Sequence, residues 1–221
     1  MRHRLPLLVT RLAFLAVLFS LLPASSAFAT TVKMKYIGST GSGIGGGGVY
    51  PAVFYINNSS TPTYLMCDSY DNTIRPGETW KATVSPFLQG IASSMFGPSM
   101  TLDYKAAGLI FKSMLAGKIT STDATWAIWG LFSSSARGTS QFQITGGAGI
   151  DATYLNLAQT AGNSAYNGLV LYTPVKGSQS WGGLPQEFIG YSAVPEPGTL
   201  LLMGTGLVGL AGAIRRKFAK A

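Results

Sequence analysis

Two hydrophobic patterns occur in the middle of the chain, one typical of strands and one typical of helices. Short segments rich in Val, Ile, Thr and Tyr, bounded by Gly, Pro, Asn and Ser, are typical of β-strands. They predict six strands, at Thr31–Ile37, Val49–Asn57, Thr63–Cys67, Thr79–Val84, Gly168–Thr173 and Glu187–Tyr191. Between the fourth and fifth strands, apolar and Ala-rich positions recur at helical spacing. This spacing predicts helices at Leu102–Ala116, Thr122–Ser133 and Ala152–Ala161.

The order of these elements indicates the fold class. Strands at both ends of a helical middle predict one α+β domain over residues 30–192, built as an antiparallel β-sandwich or sheet with a helical insertion. Asp123 and Asp151 fall near the starts of the second and third helices, where acidic residues are favourable.

The first 29 residues have the pattern of a secretory signal peptide. A basic start precedes the apolar stretch Leu12–Leu22, and Ala27 and Ala29 form an A-x-A cleavage site. We expect a signal helix that is removed, so that the mature chain begins at Thr30. An uncleaved anchor is the alternative, but this 11-residue stretch is shorter than the roughly 20 residues that span a bilayer.

A second apolar run lies near the carboxyl terminus. Thr199–Ile214 contains no charged residue and is followed by Arg215, Arg216 and Lys217. This pattern predicts a transmembrane helix whose basic end stays in the cytoplasm, with residues 30–198 outside. Signal and tail therefore predict the same topology.

The charges of the chain are concentrated in these two ends. The whole sequence has 16 basic and 8 acidic residues, but residues 30–194 have nine basic and seven acidic ones, a net charge of +2. The nine cations include no run of three, so the sequence does not indicate nucleic-acid binding.

The residue types also limit the chemistry. His3 is the only histidine and belongs to the predicted signal, so the mature chain would lack an imidazole for a general base or a zinc site. Cys67 is the only cysteine, which excludes an internal disulfide. We therefore expect a protein that is not an enzyme and has neither a cofactor nor a metal.

The order of motifs at the carboxyl end resembles a known sorting signal. Val194 to Thr199 (VPEPGT), then the apolar run, then Arg215-Arg216-Lys217, resembles the PEP-CTERM signal of Gram-negative surface proteins. The resemblance implies cleavage by an exosortase near Pro195, Glu196 and Pro197. It implies transient anchoring in the inner membrane, followed by location at the cell surface or in an extracellular, exopolysaccharide-containing biofilm matrix. A permanent membrane anchor is the alternative.

The body of the chain carries a second, more distant resemblance. The segments YLMCDSYDNTIRPGETW (64–80), DATWAIWGLF (123–132) and PQEF (185–188) look like a body type common among PEP-CTERM proteins. The first two also resemble surface thioester domains, in which a Cys and a Gln are crosslinked. The position of that Gln is occupied by Thr125, which has no carboxamide. We therefore interpret Cys67 as a small buried residue near the end of a strand.

Other candidate side chains have a structural and a functional interpretation. Asp68, Asp71 and Glu78 could form a glycosidase pair or a calcium site, but turn caps are the commoner role in such a segment. Trp126 and Trp129 share a predicted helix face and are expected in the core. Trp181, in the Gly-rich segment SQSWGGLPQ, is the predicted exposed aromatic and the candidate ligand contact.

Three functions follow from these observations. The first is a non-enzymatic exported surface or matrix protein that uses the secretion machinery and an exosortase. The second is a carbohydrate-binding surface module that contacts exopolysaccharide. The third is an enzyme that uses Cys67 or the carboxylates of Asp68 and Glu78.

Overall fold

The protein is represented by a computed structural model that describes residues 29–40 and 49–192, all within the unit Phe28–Val194. The predicted signal, apart from its last residue Ala29, and the predicted tail over residues 193–221 lie outside the described residues. Within the described ranges, no helix is long and apolar enough to cross a membrane.

All six predicted strands are present in the described part of the chain. The ends of each strand lie within three residues of the predicted ones, and the strands are β1 Thr30–Ser39, β2 Ala52–Ile56, β3 Pro62–Cys67, β4 Thr79–Pro86, β5 Leu169–Pro174 and β6 Phe188–Tyr191. The local signals were sufficient because β-branched and aromatic residues favour a half-buried strand wherever it pairs.

The strands form a closed antiparallel barrel in the order β1-β2-β3-β6-β5-β4. Strand β4 pairs with β1 on one side and with β5 on the other. The predicted α+β class, with an antiparallel sheet and a helical insertion, is therefore confirmed. The alternative of a β-sandwich was wrong, because a single sheet closes on itself. Alternating hydrophobicity reports which face of a strand is buried, but it does not report which strands are neighbours.

Aromatic side chains fill the barrel interior. Phe54 lies at the centre of this core, with ring centroids 4.7 Å from Phe188 and 5.7 Å from Trp80. Met34 from β1 is also fully buried there. The burial follows from the strand period of two, which places alternate residues on the inner face.

A helical insertion between β4 and β5 covers part of the outer surface. Its helices, numbered along the chain, are α1 Phe87–Gly90, α2 Thr101–Leu115, α3 Ser121–Phe132, α4 Ser134–Arg137, α5 Ser140–Ile144 and α6 Gly147–Thr160. Apolar residues of α2, α3 and α6 pack in one cluster with outward residues of the barrel, including Met66, Leu171 and Ile189.

Two predictions for the third predicted helix, which corresponds to α6, were wrong. Helix α6 begins at Gly147 rather than Ala152, and Asp151 therefore lies beyond its first turn. The reason is tertiary packing: a Cβ at Gly147 would lie 2.3 Å from the Phe142 ring, so only glycine fits there. That close contact offsets the low helix propensity of glycine. By contrast, Asp123 lies in the first turn of α3, where Thr120 caps the helix.

Candidate functional sites

Cys67 is the last residue of β3, and its side chain lies in the barrel core near Trp129. The residue is 4% exposed. Burial raises the pKa of the thiol to about 12, which keeps it protonated and poorly nucleophilic. The prediction of a buried cysteine near a strand end is confirmed.

Thr125 occupies the position at which the thioester resemblance expects Gln. Its hydroxyl donates to the Ser121 carbonyl at 2.7 Å and accepts from the Tyr50 backbone N–H at 3.1 Å. Its Oγ1 is 3.5 Å from Sδ of Met66, the residue before Cys67. Successive side chains on a strand point to opposite faces, so Thr125 contacts the face of β3 opposite to Cys67.

Asp68 and Glu187 form a buried pair of carboxyl groups directly beyond the β3–β6 ladder. The register pairs Cys67 with Phe188, and the Asp68 backbone N–H donates to the Glu187 carbonyl at 3.3 Å, so the two acids face each other across the strands. Both residues are fully buried. Like charges in this position repel each other, which makes it unfavourable for both groups to ionise.

The two carboxyl groups differ in their hydrogen bonds. The Glu187 carboxylate accepts from the Tyr104 hydroxyl, from the Thr173 hydroxyl at 2.6 Å and from the Met95 N–H at 2.9 Å. Both carboxyl oxygens of Asp68 are without a hydrogen-bond partner among the described residues.

Burial and the facing Glu187 charge raise the pKa of Asp68 well above its ordinary value. Burial also raises the pKa of Glu187, and its donors oppose that rise. The pair therefore holds its proton on Asp68 and its negative charge on Glu187.

The other two acids of this segment are separate from the pair. Glu78 is buried and its carboxylate accepts the Arg75 N–H at 3.1 Å, across a turn in which Gly77 has φ of +90°. Glu78 is thus the predicted turn cap, and the left-handed φ explains the glycine. Asp71 is exposed. The prediction of a turn cap was wrong for Asp68, because its buried carboxyl oxygens accept no hydrogen bond from a turn in the described part of the chain.

Trp181 is an exposed aromatic side chain, as predicted, and 51% of it is accessible to solvent. The Arg75 guanidinium lies over its ring, with Cζ 5.4 Å from the ring centroid. The preceding Ser180 is fixed against β4, since its N–H donates to the Thr79 carbonyl at 2.8 Å and its Oγ accepts from the Thr79 N–H at 3.0 Å. The ring is therefore positioned by the barrel.

The other three tryptophans are core residues. Trp126 and Trp129 pack edge to face, with centroids 5.0 Å apart, and both contact Tyr70. Trp80 is 1% exposed in the barrel interior. The predicted core role of the Trp126–Trp129 pair is confirmed, and these rings are out of reach of a ligand.

Sequence reasoning missed the partnership between Asp68 and Glu187. Glu187 was assigned only to a predicted strand, and Tyr104 and Thr173 were not considered as its donors. The available signal was the position of both acids at the ends of apolar strands. Their mutual contact depends on the β3–β6 pairing, which joins residues far apart along the chain.

Comparison with known proteins gives one match to a family model. The family described as the PEP-CTERM protein-sorting motif matches residues 193–217. The chain carries a PEP-CTERM sorting motif. This finding confirms the resemblance seen in the sequence, and the motif implies processing by an exosortase, export and sorting to the cell surface. A comparison with curated proteins gave no match.

Among solved structures, the chain is similar to the N-terminal thioester domain of a surface protein from Clostridium perfringens. The two are 15% identical, with a TM-score of 0.39, and the similarity covers 73% of this chain and 98% of the other. This is a weak structural resemblance.

Proposed function

We propose that this chain is a non-enzymatic protein of the cell surface or extracellular matrix, exported through the secretion machinery and processed by an exosortase at Pro195-Glu196-Pro197. The PEP-CTERM motif at residues 193–217 is the observation that carries the proposal. In this proposal, Thr199–Ile214 anchors the chain transiently in the inner membrane until the motif is cleaved.

The chemistry of the barrel supports a role without catalysis. The Cys67 thiol is buried and has a pKa of about 12, and Asp68 and Glu187 are fully buried. A catalytic group must come within hydrogen-bond reach of its substrate, and these three cannot do so without opening of the core. Their contacts instead fit a structural role in holding β3, β6 and helix α2 together.

The experiment that tests the proposal is an intact-mass measurement with sequencing of both termini. The protein is recovered separately from the membranes and from the extracellular matrix of its host. We expect a chain that runs from Thr30 to the neighbourhood of Pro195-Glu196-Pro197, found outside the cell. A chain that still ends at Ala221 in the membrane fraction would instead establish the alternative, a permanently anchored protein.

A deletion provides the second arm of this test. Removal of residues 193–221 should change the location of the protein without unfolding residues 30–192, because the six strands that close the barrel all lie between Thr30 and Tyr191. An unchanged location, with the fluorescence of the buried tryptophans preserved, would refute a sorting role of the tail.

A second candidate function is carbohydrate binding at Trp181. Its half-exposed ring favours this candidate, because aromatic faces pack against the apolar faces of sugars. Titration with the polysaccharide of the host should show saturable binding that Trp181→Ala weakens. Leu157→Ala is the control, since Leu157 is also 51% exposed but lies on helix α6. Equal effects of both variants would exclude Trp181 as the contact.

A further inference from the structure

The outer face of β1 and β4 presents lysines that the sequence keeps apart. Lys33 and Lys35 alternate with the buried Val32, Met34 and Tyr36 on β1, so both point away from the core. Lys81 of β4 is directly opposite Lys33 in the antiparallel register. We call Lys33, Lys35 and Lys81 the lysine face.

No acidic side chain neutralises the lysine face in the described structure. Strands β1, β2, β3 and β4 contain no Asp or Glu, and neither does the loop 175–186 beside β4. The nearest acid along the chain, Glu78, is buried and its carboxylate accepts the Arg75 N–H. The ion pair found among the described residues, Arg137–Asp151, lies on the helical insertion and involves none of the three lysines.

Placing Lys33 opposite Lys81 is unfavourable for the fold, because like charges directly across a sheet destabilise it. Lysines on a sheet often protect an edge strand from aggregation, but β1 and β4 are each paired on both sides in the closed barrel. An anionic partner would remove the repulsion between Lys33 and Lys81. Binding of such a partner therefore explains an arrangement that fold stability does not explain.

The groups around the lysines indicate the class of partner. Thr79 and Tyr55 lie on either side of Lys35 in the register, and the hydroxyl of Tyr55 is on the partly exposed end of β2. Ser180 pairs with Thr79, which places Trp181 at the border of the lysine face. Hydroxyl groups, an aromatic face and cations together match a polymer that carries hydroxyl groups, apolar sugar faces and negative charges.

We propose that the lysine face binds an acidic polysaccharide, with Lys33, Lys35 and Lys81 contacting its anionic groups and Trp181 at the margin contacting a sugar ring. This inference rests on the proposed location outside the cell, because that is where such polymers would be met. Lysine suits this role, since its flexible stem lets a point charge reach irregularly spaced anions.

Binding of the full-length chain, purified in an uncharged detergent, to immobilised polygalacturonate tests the inference. Uncharged dextran, single-stranded DNA and vesicles of anionic lipid are measured in parallel. The variant Lys33→Gln/Lys81→Gln is compared with Lys105→Gln/Lys118→Gln, which removes the same charge from helix α2 and the turn that follows it. We expect polygalacturonate binding that is weakened roughly two- to thirtyfold in the first variant, the effect of losing two exposed ion pairs.

The expected pattern also includes no binding to dextran and weaker binding at higher salt, because the contacts are ionic. Four results would overturn the inference: no binding to polygalacturonate, equal binding to dextran, equal weakening in the control variant, or tighter binding to DNA or vesicles. The binding assay uses purified protein, so a negative result would refute the polysaccharide site without refuting the proposed location. The terminal-sequencing experiment tests the location, and its failure would not change the binding measured with purified protein.

Discussion

Replacing Asp151 with Asn tests how burial controls charge in the helical insertion. Asp151 is 2% exposed, and burial raises its pKa to about 7 from 3.8, although the Arg137 guanidinium lies 3.2 Å from its Oδ2 and opposes the rise. Each pKa unit corresponds to about 1.36 kcal/mol. A rise of about three units therefore amounts to ~4 kcal/mol. This is an upper value, because solvent that reaches the pair beside the half-exposed Arg137 also reduces the cost of burying the carboxylate charge.

The sign follows from proton binding. The folded carboxyl group holds its proton more tightly than the unfolded one, so its contribution to stability is fully present below about pH 4 and is lost as the pH rises to about 7. Asn cannot ionise and still offers Arg137 an oxygen acceptor. We expect Asp151→Asn and the unaltered protein to be similarly stable at about pH 4, and the variant to be more stable at about pH 8 by up to ~4 kcal/mol.

Urea unfolding, followed by the fluorescence of the buried tryptophans across this pH range, measures the difference. Asp68 and Glu187 also have raised pKa values and contribute in the same direction, so only the difference between variant and parent isolates Asp151. Asp71→Asn is the control, because it makes the same change at an exposed turn. Parallel pH dependences for Asp151→Asn and the parent would refute the reasoning. A variant less stable than the parent at about pH 8 would show that Arg137 outweighs burial.

Three further experimental outcomes are predicted. Lys81→Glu should raise the free energy of unfolding by a few tenths of a kcal/mol at low salt, measured with denaturant, because it replaces repulsion of Lys33 by attraction; a loss of stability would contradict the cross-strand pairing. Gly130→Ala should cost about 1–3 kcal/mol in the same assay, since its Cβ would lie 2.2 Å from the Phe142 ring, and a smaller ring-free side chain at 142 should reduce the cost. Cys67 should react with iodoacetamide only in denaturant, and rapid alkylation of the folded protein, followed by mass spectrometry, would show that the thiol is accessible.

The accuracy of the sequence predictions differed between local and long-range features. Strands such as Thr30–Ser39 and helices such as Thr101–Leu115 were predicted closely, because their hydrophobic periods are properties of neighbouring residues. The start of α6 was missed because the contact of Gly147 with Phe142 overrides helix propensity. The burial of Cys67 was predicted from its position near a strand end, and the exposure of Trp181 from the Gly-rich segment around it. Both are confirmed.

The sequence by itself determined the elements, the sorting motif at residues 193–217 and the absence of a histidine from residues 30–192. Only the tertiary structure decided that the strands close into a barrel. Closure requires β4 to pair with both β1 and β5, and such pairing depends on register between distant segments. The same register places Asp68 against Glu187 in the interior and Lys33 against Lys81 on the surface. Along the sequence these acids and lysines are scattered. Their pairing cannot be found from the sequence, because the distances that govern their interaction exist only after folding.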